Sequence, residues 1–127
     1  MKRIDEKSIQ CLPFHDSDFR GLKINQKDNG ETDLILNLAF YKGEFESLSE
    51  DYLKAIELDG TASLLFENCD WINIHTVCNR LQRDEIDFIQ FVHDLPNLVE
   101  GKKHIEVVFI SGSKLECVAN KIELLTI

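Results

Sequence analysis

The chain lacks the usual marks of a membrane span, a secreted scaffold or a nucleic-acid binder. Its apolar runs do not exceed four residues, as in Val107 to Ile110, whereas a membrane helix needs about 18 or more in succession. At the start, Met1-Lys2-Arg3-Ile4-Asp5-Glu6-Lys7 places no apolar stretch behind its basic residues, as a signal peptide would. The four cysteines (Cys11, Cys69, Cys78, Cys117) include no Cys-x-x-Cys pair, so neither a redox motif nor a zinc ribbon is indicated. Two Pro and six Gly in 127 residues exclude collagen-like and low-complexity chains. Lys and Arg together number 14 against 23 Asp and Glu, a net charge of −9. Binding to a phosphate backbone depends on Lys and Arg, so no nucleic-acid partner is expected. These shortages predict a soluble, cytoplasmic protein with no membrane contact, whose cysteines are reduced and serve as small apolar side chains.

What the chain does have is alternation. Hydrophobic residues make up 43% of it, and at this mass folding can bury about two-thirds of the unfolded surface. No repeat or biased linker divides the sequence, so residues 1–127 are read as a single domain, with 1–10 polar and loosely held. Leu22 and Ile24 alternate with polar residues, Asn29-Gly30 follows, and then Leu34, Leu36, Leu38 and Phe40 share one face. Period-two patterns on both sides of Asn-Gly predict a hairpin, because both residues tolerate the positive φ of a tight turn. Thr61 to Glu67, Trp71 to Val77 and Ile105 to Phe109 also alternate. Ser111-Gly112-Ser113 then turns the chain into Leu115, Cys117 and Ala119, and Lys121 to Ile127 continues that strand. Apolar residues on both faces of Val107 to Ile110 place that strand near the middle of the sheet.

Two segments read differently. In Asp84 to Leu95, Phe88, Phe91, Val92 and Leu95 fall at i, i+3, i+4 and i+7. That spacing predicts a helix capped by Asp84 and closed before Pro96. Ser47 to Leu58 fits a helix with a Ser47-x-x-Glu50 capping box, and equally a strand turning back at Asp59-Gly60. The expected fold is therefore α+β and mainly β. It is an antiparallel sheet of about six to seven strands, open to curling towards a barrel, packed by one or two short helices.

Candidate chemistry is sparse. Phe14-His15-Asp16-Ser17 carries a His-Asp doublet, and it resembles that of the metal-dependent phosphohydrolases named for this pair. Those enzymes need further His and Asp ligands from separate helices, so Asp16 and Ser17 are read as accepting backbone N–H bonds at the start of the first strand. Were the chain an enzyme, His15, Asp16, Asp70 and His75 would be the catalytic candidates for a small metal-dependent hydrolase. His75-x-x-Cys78, even with Cys69, falls short of the four ligands of a structural zinc site. No nucleophile elbow, phosphate loop or His-Glu-x-x-His occurs. No catalytic residue, cofactor or metal is therefore assigned. Trp71, beside the polar Glu67-Asn68-Cys69-Asp70, is the candidate for a protein interface, where aromatics dominate binding energy.

Three pieces together carry a family resemblance. They are Phe14-His15-Asp16-Ser17 before the first hairpin, Leu64-Leu65-Phe66-Glu67-Asn68-Cys69 in mid-chain, and Leu115-Glu116-Cys117 to Ile122 at the end. In this order they resemble a group of small bacterial domains that open with a His-Asp-Ser or His-Asp-Ala step. Some members are uncharacterised and some are immunity proteins of polymorphic toxin systems. The resemblance implies a sheet-rich, non-catalytic fold and binding to a toxin domain, and the acidic charge suits a basic partner protein. Two alternatives remain open: the hydrolase, and a structural domain that forms a homodimer by pairing its C-terminal strand at a sheet edge.

Overall fold

A computed structural model of the chain describes residues 2–4, 9, 14, 17–39, 61–77, 84–92 and 101–126. They form nine strands: β1 (Lys2–Ile4), β2 (Ser17–Gln26), β3 (Thr32–Ala39), β4 (Thr61–Glu67), β5 (Trp71–His75), β6 (Glu85–Val92), β7 (Lys103–Phe109), β8 (Lys114–Ala119) and β9 (Lys121–Thr126). Every pairing is antiparallel, in the order β1-β9-β4-β3-β2-β6-β7-β8-β5. The mainly-β, antiparallel expectation holds. The count is nine rather than six or seven, and β1 and β5 are outer strands, so the sheet does not close into a barrel.

The sheet instead folds over on itself. β4 pairs with β9, and β5 pairs with β8. Only Asn68, Cys69 and Asp70 separate β4 from β5, and only Asn120 separates β8 from β9. Two long ribbons thus bend at the same place and pass together from one leaf to the other, as strands do at the corners of folded sheets. Asn68 takes the left-handed turn there, at φ 54°. Its amide donates to Asp33 Oδ1 at 3.0 Å, and the Asn120 amide donates to the Glu67 carbonyl at 2.9 Å. The bend therefore leaves neither of these amides unpaired.

The inner faces of the leaves make one core. Leu34, Leu36, Leu38, Leu64, Phe66, Ile122 and Leu124 of the β1-β9-β4-β3-β2 leaf are at most 1% exposed. They join Ile86, Ile105, Val107, Phe109, Leu115 and Cys117 of the other leaf in a single cluster. At the opposite join the leaves share only two residue pairs between β2 and β6. There Phe19 and Phe109 meet edge-to-face, with ring centroids 5.5 Å apart.

The first hairpin forms as expected, with Gln26 opposite Thr32, but its turn is longer than a two-residue Asn-Gly loop. Gly30 alone takes positive φ, at 86°. Its amide donates to the Lys27 carbonyl at 3.0 Å, and Asn29 Oδ1 accepts the Glu31 amide at 3.0 Å. Gly21, at φ 141°, marks a bulge after Phe19 that resets the β2 register against β3. Ser17 Oγ is buried and has no hydrogen-bond partner, so it does not accept the backbone bond expected of it.

The helix expected over 84–95 is overturned: Glu85–Val92 is strand β6. A bulge between Ile86 and Phe88 shifts its phase against β7. The residues whose spacing suggested a helix divide between two faces: Phe91 packs against the core with Ile86 and Ile89, whereas Phe88 and Val92 stand on the opposite face. Asp84 caps no helix. It accepts the Glu85 amide at 2.9 Å and the Ser111 hydroxyl, bracing the Ser111-Gly112-Ser113 turn. β7 does lie inside its leaf, flanked by β6 and β8. The ambiguous segment Ser47 to Leu58 lies outside the described residues, as do Phe40, Cys11 and Cys78. Among the leading ten residues, Lys2–Ile4 pair with β9 and Ile9 is buried. Among the described residues no helix is long and apolar enough to cross a membrane.

Candidate functional site

The pairing of β6, β7, β8 and β5 lays three rows of side chains across the face turned away from the core. In the middle row Gln90, Glu106, Glu116 and Asn73 stand opposite one another. One row holds Val92, His104, Val118 and Trp71, and the other Phe88, Val108, Lys114 and His75. Strand alternation dictates this, since Ile105, Val107, Leu115 and Cys117 take the core face and their neighbours must take the other.

Two glutamates directly opposite on adjacent strands repel, and the surrounding polar groups answer that repulsion. Asn73 Nδ2 donates to Glu116 Oε1 at 3.1 Å and Gln90 Nε2 to Glu106 Oε2 at 2.6 Å. Lys114 Nζ lies 3.4 Å from Glu106 and 3.8 Å from Glu116. His104 Nε2 is 2.9 Å from Glu116 Oε2, while its Nδ1 has no partner. Burial pushes the Glu116 carboxyl up, but the hydrogen bonds from Asn73 and His104 and the Lys114 charge outweigh it and hold the pKa below its ordinary value.

Trp71 completes the face. It is 41% exposed, and its ring centroid lies 5.5 Å from that of His104, with the planes 52° apart. Phe88 is also 41% exposed, on the other side of the acidic row. Among the described residues β5 pairs only with β8, so one backbone edge of the Trp71 strand carries no partner strand. The arrangement is an aromatic anchor, a fixed pair of carboxylates and an edge strand on one rigid leaf. Two carboxylates here share one lysine, Lys114.

His104, Glu106 and Glu116 are the one group among the described residues with metal-ligand character, their donor atoms lying within 4.8 Å of one another. Nitrogen and oxygen donors of this kind suit zinc or manganese. Lys114 already lies against both carboxylates, however, and a divalent ion would compete with it for their oxygens.

The proposed hydrolase residues do not converge where they are described. Asp70 sits at the bend, paired with Lys102 Nζ at 3.1 Å. His75 lies at the far end of β5, opposite Lys114, and five strand residues span roughly 17 Å. His15 and Asp16 lie outside the described residues. The C-terminal strand is no free edge either, because β9 runs between β1 and β4. Trp71 was legible as a lone Trp beside a polar turn. Glu106, Glu116 and His104 were not, because only the strand register brings them together. No protein-family model, curated protein or solved structure matches the chain.

Proposed function

We propose that this chain is a non-enzymatic, cytoplasmic protein-binding module that holds a basic partner against the Trp71 face, in the manner of a bacterial immunity protein and its toxin. The observation that carries the reading is the half-exposed Trp71 beside a partly buried, prearranged carboxylate pair. Aromatic side chains at the centre of a patch supply most interface energy, and fixed opposite charge raises encounter rate and specificity. The net charge of −9 extends the same attraction over the whole molecule. The edge of β5 adds a strip of backbone groups on which an extended partner segment can pair. The Phe14-His15-Asp16-Ser17 and Leu64 to Cys69 resemblances favour the same assignment.

The test is co-expression with basic toxin domains, beginning with any encoded beside the gene, followed by titration of the purified pair. Protection of the host and a complex that weakens as salt rises are expected. Trp71→Ala should weaken the complex at least about 30-fold, the loss of one hot-spot aromatic. Absence of protection, or a complex indifferent to Trp71, overturns the proposal. Self-association through β5, seen by sedimentation and abolished by a Pro in that strand, would assign the face to a homodimer instead.

A further inference from the structure

β5 is an outer strand, and among the described residues it pairs with β8 alone. An outer strand offers a row of unpaired N–H and C=O groups, which folds usually blunt with lysine, proline, a bulge or brevity. The other outer strand, β1, follows that practice: it has three residues, and Lys2 and Arg3 are two of them. β5 carries none of these devices. Trp71-Ile72-Asn73-Ile74-His75 holds no lysine, arginine, carboxylate or proline, in a chain whose net charge is −9. Its register on β8 runs unbroken from Trp71 opposite Val118 to His75 opposite Lys114. All of its residues except Ile72 are exposed. Both ends are pinned, since the Asp70 amide donates to the Val118 carbonyl at 2.8 Å and the Val77 amide to Ser113 Oγ at 3.2 Å. The edge is therefore formed before anything binds it, which lowers the cost of binding.

The two sides of this edge ask for different side chains. Ile72 and Ile74 stand opposite Cys117 and Leu115 on the core side, yet Ile74 is 40% exposed at the rim of the core. Residues of an added strand that lie against Ile72 and Ile74 must be apolar to cover that rim. Trp71, Asn73 and His75 alternate with them on the outer side. Asn73 ends the row of Gln90, Glu106 and Glu116, and its amide donates to Glu116 Oε1 at 3.1 Å. A residue opposite Asn73 stands two strand spacings, about 10 Å, from the Glu116 backbone. A lysine and a glutamate side chain close that gap between them. Opposite His75 the case is reversed, because Lys114 stands behind it and repels a cation.

We propose that the open edge of β5 takes an extended segment of the basic partner as a further strand, with apolar residues against Ile72 and Ile74 and a lysine or arginine opposite Asn73. The inference rests on the partner-binding reading of the Trp71 face and names the part of the partner that the face receives. Main-chain bonds to β5 supply affinity without regard to sequence, while pockets for alternate side chains supply the choice. A slip of one residue turns the cation onto Ile74 and apolar side chains onto Asn73, so the alternation fixes the register. The single basic position then selects among segments that alternate equally well.

The experiment titrates the full chain with synthetic peptides. Trp71 is the single tryptophan of the chain and lies on the strand in question, so its fluorescence reads binding there. The probe is the end-blocked peptide Val-Thr-Val-Lys-Val-Thr-Val, compared with the same peptide carrying Glu in place of Lys. A saturable change in Trp71 emission is expected, with the Lys peptide at least about five-fold tighter at low salt. Two further peptides are N-methylated, one on its valines and the other on its Thr and Lys residues. Successive residues of a strand turn their N–H groups to opposite sides, so one of the two should lose binding and the other keep it. Ile74→Lys should abolish binding while the melting temperature stays that of the natural chain. Absence of binding, indifference to the Lys-to-Glu exchange or to Ile74→Lys, or an equal response to both methylations overturns the proposal. So does a chain that sediments alone as a dimer paired through β5. Should Ile74→Lys fail to fold, the methylated peptides on the natural chain decide. A toxin complex that forms while β5 refuses every peptide overturns this inference alone, and peptide binding without any toxin complex overturns only the immunity reading.

Discussion

Glu106 and Glu116 face each other directly across the β7–β8 ladder, two carboxylates in register on one sheet face. A pair so placed persists because Lys114 lies within 3.8 Å of both and because Gln90, Asn73 and His104 hold the outer carboxylate oxygens. Lys114→Met should therefore destabilise the fold by about 0.5–1 kcal/mol at low ionic strength, the scale of a partly exposed charge interaction. The deficit should shrink in high salt. Adding Glu106→Gln to that variant should restore most of the loss. Urea unfolding of the single and double variants at two salt concentrations checks this, and a larger loss in the double variant would be inconsistent with repulsion as the cause.

The same cluster sets a pH dependence. The Glu116 carboxyl has a lower pKa folded than unfolded, so the folded chain binds fewer protons there than the unfolded chain does. That difference stabilises the fold above the ordinary glutamate range and is lost as pH falls through the depressed folded value. Melting temperature should drop across that acidic window. The Glu116→Gln chain should be less stable at neutral pH and show a shallower acid slope. Thermal melts of both chains over a pH series read the sign directly.

Gly30 is a local test of the first hairpin. Its φ of 86° suits glycine, and no atom lies within 4 Å of where a Cβ would stand. The penalty for Gly30→Ala is thus conformational rather than steric, about 1–2 kcal/mol. Gly30→Asn should cost less, because Asn tolerates the left-handed region. Chemical denaturation of the two variants ranks them.

How far the sequence disclosed this fold follows from the kind of signal each part carries. The hairpin of β2 and β3 and the β7–β8 turn were legible because alternation and turn residues are local. Six strands were visible in that way, the last running on through what the structure divides at Asn120 into β8 and β9, and the two missed have identifiable causes. β1 is a three-residue strand, too short for any period to show. β6 carries a bulge after Ile86 and has apolar residues on both faces, Phe88 and Val92 on one and Ile89 and Phe91 on the other, so no period of two stood out. The corner was hidden for a different reason: Asn68 to Asp70 and Asn120 look like ordinary turns until the two bends are seen to coincide. The candidate face depends on register, which pairs Glu116 with Glu106 although neither segment announces the other. Trp71 alone was nameable beforehand, since a single exposed-looking aromatic needs no register to be noticed.

The join between the leaves gives the last prediction. β2 and β6 share only two backbone residue pairs, Ser17 with Ile86 and Asp18 with Glu85, so side chains must supply much of the cohesion there. Phe19 and Phe109, 3% and 2% exposed, meet edge-to-face at this point, with their planes 88° apart. Replacing either ring by Leu removes the aromatic geometry while keeping most of the apolar volume. Each single change should cost about 1–1.5 kcal/mol, as roughly volume-conserving core substitutions do. If the ring contact itself holds the leaves, the two effects will not add, and a double-mutant cycle should return a coupling of about 0.5–1.5 kcal/mol. Additive losses would instead mean that the leaves are joined chiefly by the Asn68 and Asn120 bends. In that case Asn68→Ala, which forces a β-carbon without a capping amide into the left-handed turn and removes the acceptor of Lys27 at 3.2 Å, should be the more damaging change at a leaf junction.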